Sequence, residues 1–134
     1  MANAQEQLVA DLKRTRRELE VRGRCIEELI SHSGKVCLDG AVALACGITI
    51  GVMGRGVLEL EENPRAQRVL RALADHIPSD RRIDNRRYVV EPRVQIYIFN
   101  DDDKTTDEEC FDLIDKALAE AGGLADDPQQ GRCL

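Results

Sequence analysis

The run Cys37-Leu38-Asp39-Gly40-Ala41-Val42-Ala43-Leu44-Ala45-Cys46-Gly47 constrains the fold of this chain more than any other segment. Apart from Asp39 it is uncharged, in a chain of which 33% is charged, and its side chains are mostly small. A stretch apolar all round is stable only when other elements cover it on every side, and small side chains let those elements come close. It therefore predicts a buried central helix closed by Gly47, with amphipathic elements set around it. Aromatic residues make up only 3% of the chain, so the core falls to Leu, Ile, Val and Ala, a supply that favours helix packing over a large β-sandwich. The length, 134 residues, suits a single domain.

The segments around this run carry their own signals. From Gln5 to Arg22, Leu8, Leu12, Thr15 and Leu19 recur at helical spacing among basic residues, and Gly23 closes the helix they predict. Arg24 to Ile30 fits a short strand or a continued helix, and a strand leading into a turn at residues 31–34 is the preferred expectation. Ile48 to Val57 holds Gly51, Gly54 and Gly56 and reads as an irregular connector. Asn63-Pro64 opens a helix whose face is Ala66, Val69, Leu70, Leu73 and Ile77. The β-branched and aromatic run from Val94 to Phe99 predicts a strand, with Tyr88-Val89-Val90 a second. Thr106 and Glu109 form a capping box for a last helix with the stripe Cys110, Leu113, Ile114, Ala117, Leu118 and Ala121. The expected fold is α+β and mostly helical, with about four helices and a small two- or three-stranded sheet. The domain is expected to span residues 1–123, with 124–134 a polar, flexible tail.

The net charge of −6 argues against general nucleic-acid binding, but the charge is unevenly spread. Arg81, Arg82, Arg86, Arg87 and Arg93 form a basic connector, whereas the chain from Asn100 onward is strongly acidic. Two such blocks can face each other within one subunit or between neighbours. Five cysteines at 25, 37, 46, 110 and 133, an odd number with no C-x-x-C pair, do not make a disulfide framework. No signal peptide begins the chain and no apolar run reaches membrane-spanning length, so the expected compartment is the cytoplasm, with no membrane partner.

Three constellations bear on chemistry. Cys37 lies where a turn enters a helix, a placement that lowers a thiol pKa; a nucleophile there would need a base, oriented by Asn100 or Asp101. Cys25, His32, Cys37 and Cys46 offer soft ligands, but their spacing matches no common zinc module, and no metal or cofactor is expected. Asn100 to Asp107 resembles half of a calcium loop but has no glycine at the required place. Asx turns and a Thr106 cap account for it more simply, with Asn100 and Asp101 expected to bond the backbone near Cys37.

Three stretches together resemble a small uncharacterised domain family of actinobacteria and their phages: Leu19 to Cys25, Gly34 to Ala41, and Phe99-Asn100-Asp101 followed by a Thr-capped helix. In that family an aromatic usually follows the glycine of the first stretch and Trp usually precedes the Asn-Asp pair, where this chain has Arg24 and Phe99. The resemblance implies a helix-rich α+β fold and an actinobacterial or phage source, with host cytoplasm as the compartment in the phage case. It implies no reaction.

The leading functional expectation is a non-enzymatic accessory or adaptor protein acting through protein–protein contacts, self-association among them. Its contact residues would be Leu12 and Leu19 on the first helix and Arg81, Arg82, Arg86 and Arg87 in the connector. One alternative is a small cysteine-dependent hydrolase or transferase using Cys37. A second is nucleic-acid contact through Arg81 to Arg93, which the acidic total disfavours.

Overall fold

The computed structural model describes residues 3–83 and 90–122. Its helices are α1 (Ala4–Arg22), α2 (Leu38–Ala45), α3 (Val57–Glu62), α4 (Pro64–Ala74), α5 (Pro92–Asp101) and α6 (Asp107–Glu120), with a 3₁₀ turn at Ser79–Arg81. α2 is the centre, packed against α1, α4 and α5, and every residue from Leu38 to Ala43 is buried. Gly40 is required there, because a Cβ at this position would lie 2.0 Å from the carbonyl oxygen of Leu29. The central helix can be reached this closely only because its side chains are small.

The outer helices begin and end where local chemistry directs. Asn3 and Glu6 form a capping box at the start of α1, and Gly23 closes that helix at φ 85°. Asn63 caps α4 through the N–H of Ala66, with Pro64 in the first turn, and Ala66, Val69, Leu70, Leu73 and Ile77 are buried as their spacing predicts. Thr106 and Glu109 form the anticipated box on α6, whose buried stripe is Cys110, Leu113, Ile114, Ala117 and Leu118. α1 is tied to α4 by a two-pronged pair, with Arg65 Nε and Nη2 donating to the buried Asp11 carboxylate at 2.7 and 2.6 Å.

The expected α+β class is corrected: among the described residues there is no strand and no sheet, and there are six α-helices where about four were expected. Val94 to Phe99 lies inside α5. Pro92 occupies its first turn, and the buried residues Ile96, Phe99 and Asn100 recur at helical spacing. Arg24 to Ile30 is an irregular loop in which Glu27 has φ 66°. It closes on Val36 through two isolated bridges, parallel from Arg24 and antiparallel from Ile30. Val36 is thereby fully buried between two pieces of loop without strand repetition. Of the expected second strand, Tyr88 and Val89 lie outside the described residues, as do the tail at 124–134 and Arg86 and Arg87.

Candidate functional site

The turn into α2 meets the end of α5, and the contact is made by Asn100. This side chain is fully buried, and its Oδ1 accepts the N–H of Leu38 at 3.1 Å. Its Nδ2 donates to the carbonyl of Cys25 and to Asp101 Oδ1, both at 3.0 Å. Asp101 Oδ1 also accepts the N–H of Glu27 at 3.0 Å. Arg24 closes the outside, donating to the carbonyls of Asn100 and Thr105 at 2.6 and 2.9 Å and to Asp107 at 2.7 Å. The expected link between Asn100-Asp101 and the backbone near Cys37 is therefore present, made by Asn100 at Leu38 and by Asp101 one loop away at Glu27.

Cys37 sits at the N-cap of α2, its Sγ accepting the N–H of Gly40 at 3.3 Å. The helix start was expected to lower its pKa. The shift runs the other way: burial, reinforced by neighbouring Asp39, pushes the thiol far up against the opposing pull of the Gly40 N–H. Only 3% of the residue is exposed. Burial likewise raises Cys46 to about 11 and Cys110 to about 12, as expected of thiols that pack as small hydrophobes.

The unexpected residue is Asp39. It is fully buried in the first turn of α2, and neither carboxyl oxygen has a hydrogen-bond partner among the described residues. Among the described residues the cation paired with it is Arg93, whose Nη1 lies 3.5 Å from Asp39 Oδ2, too long for a good bond. Arg93 is better engaged by Glu61 at 3.0 Å and lies 5.4 Å from the centroid of the Tyr97 ring. Burial, only partly offset by Arg93, pushes the Asp39 carboxyl up to about 8. Asp39 and Cys37 lie on the wall of an open cleft of about 580 Å³, whose lining also includes Glu27, Glu28, Asp101 and Arg93. Sequence reasoning passed over Asp39, although the signal was there: it is the only charge in the apolar run.

The other sequence candidates are dispersed. Arg81 donates to Glu109 at 3.1 Å and to the Thr105 hydroxyl, pairs with Asp102 at 3.5 Å, and lies 5.0 Å from the Phe99 ring centroid. Arg82 donates to the carbonyls of Ile77 and Asp75. Leu12 and Leu19 are buried in the chain's own core, against α2 and its neighbours. Cys37 and Cys46 cap opposite ends of α2, and no group of three or more metal-ligating side chains converges among the described residues. At the calcium-like segment Asp102 Oδ1 accepts the N–H of Lys104 at 2.9 Å, the Asx turn that joins α5 to α6.

Among the described residues no helix is long and apolar enough to cross a membrane. No curated protein and no solved structure matches the chain. Over residues 3–120 it matches the family of unknown function DUF6197, and the chain belongs to that family.

Proposed function

We propose that this family member is a non-enzymatic accessory or adaptor protein that acts by contact with another protein, and that it meets its partner at the cleft beside Asp39. The observation that carries this reading is the combination of an open cleft with a thiol held in its neutral form on the wall. A nucleophilic cysteine needs the thiolate, and burial opposes it here. Contact needs accessible apolar surface, and the cleft supplies it. Met53 on its wall is 98% exposed at φ 63°, and Ile26 and Val52, next in sequence to lining residues, are exposed as well. Large apolar side chains grouped at a concave surface characterise interaction sites, and methionine adapts readily to a partner. The setting that fits is the cytoplasm, of an actinobacterium or of a phage-infected host.

Site-specific photocrosslinking in the producing cells tests the reading. A photoreactive side chain at Met53 or Tyr97 is expected to capture one defined protein, or a second copy of this chain, in preference to the same side chain at Val21, which is exposed on α1 away from the cleft. Equal capture at all three positions, or a turnover activity abolished by Cys37→Ser, would overturn it.

A further inference from the structure

We propose that the cleft receives a long cationic side chain, arginine or lysine, of the protein partner, with its head seated among Asp101, Glu27 and Glu28 beside the buried Asp39. The inference rests on the contact reading above and adds the chemistry of the occupant. Its first support is charge: among the described residues the cleft is lined by Glu27, Glu28 and Asp101, besides the buried Asp39, against one cation, Arg93. Arg93 does not cancel them, because Glu61 already holds it at 3.0 Å and Tyr97 lies beneath it.

The second support is Asp39 itself. A buried carboxyl whose two oxygens have no hydrogen-bond partner among the described residues is costly, and such a group in a native cleft suits a donor that arrives from outside. A guanidinium or ammonium group carries such donors. The third support is shape. The volume of about 580 Å³ exceeds what one side-chain head fills, and Leu29, Val57 and Tyr97 give the methylene stem an apolar wall. Exposed Met53 extends the apolar surface to residues flanking that side chain, which a small free amine would leave uncovered.

Binding is then coupled to a proton. Asp39 is faced by Arg93 and Asp101 of α5, by Glu61 of α3 and by Cys37 at the start of its own helix. Adding a cation favours the carboxylate, so occupancy releases the proton that burial holds. Affinity rises as pH climbs toward about 8, the value at which the empty cleft already loses that proton.

The test uses the full chain and two short acetylated peptides, one with a single arginine between leucines and one with uncharged citrulline in its place. The arginine peptide is expected to shift the amide resonances of Glu27, Gly51, Met53 and Asp101 and to bind at least about tenfold more tightly than the citrulline peptide. Asp39→Asn should weaken binding and abolish its pH dependence, while Glu28→Gln, an exposed change, should weaken it and leave the pH dependence intact. Equal binding of both peptides, shifts confined to another face, or no binding of the arginine peptide overturns the inference. Equal affinity for free agmatine would show a small-amine receptor and overturn it too. A partner captured at Met53 whose contact places no arginine or lysine in the cleft would refute this inference alone, whereas absence of any captured partner would refute the contact reading beneath it.

Discussion

Asn100 and Asp39 are two buried polar side chains a short way apart in the fold, and they are in opposite condition. Asn100 has its acceptor on the Leu38 N–H and its donors on Cys25 and Asp101, so replacing it strands the buried Leu38 N–H and the half-buried Cys25 carbonyl. Asn100→Ala is predicted to cost about 2–4 kcal/mol in urea denaturation, the sum for a buried N–H and a carbonyl left unpaired. Asp39 has no such partners, and the sign of its effect follows from its shift. The folded chain keeps a proton, up to about pH 8, that the unfolded chain gives up near its ordinary value of 3.8. The contribution of Asp39 is therefore fully present below about pH 4 and is lost as pH rises through about 8. Asp39→Asn should remove this decline, so that the urea midpoint of the variant gains on the parent as pH rises across that window; parallel pH curves would contradict the account. The link from Asn100 to the Cys37 turn was legible in the sequence, because short polar side chains at a junction bond nearby backbone. The loss of acidity at Cys37 was not legible, since it depends on how fully the helix start is covered.

At the scale of elements, capping and spacing gave reliable guidance where they acted together. α6 begins at its capping box, and Thr106→Ala is predicted to lower stability by about 1 kcal/mol, read from the urea midpoint at unchanged slope. α4 likewise lies where Asn63, Pro64 and its apolar face place it. α5 shows the limit of such reading. Six consecutive strand-prone residues fit a strand as well as a buried helix, because neither period is visible in a run that is apolar almost throughout. Packing decided it: with Pro92 starting a turn, Ile96 and Phe99 enter the core on one face and Asn100 arrives beside them to clasp α2. Tyr97 is left at the cleft. The loop from Gly23 to Val36 was equally hard to foresee, since it is held by a few backbone bonds to Val36 and by Arg24, and none of these leaves a periodic mark.

At the scale of the whole molecule, a central helix of small residues is wrapped by amphipathic helices, as the Cys37–Gly47 run anticipated, and the opposed charge blocks partly meet within one chain through Arg81, Glu109 and Asp102. Arg81 is thus engaged within the chain and Leu12 and Leu19 lie in its core, which is why the proposed contact is placed at the cleft instead. Two neighbouring parts are thus distinct: a junction clasped by Asn100 that holds the fold, and an open cleft, with the buried Cys37 thiol in its wall, that we propose meets a partner. Alkylation of Cys37 by iodoacetamide, followed peptide by peptide across a urea series, tests this separation most directly. The account predicts protection without denaturant and a modification rate that rises with urea along the slope of global unfolding. Reaction of native Cys37 faster than a free thiol in solution would contradict it, because the junction would then be a place of chemistry and not of architecture.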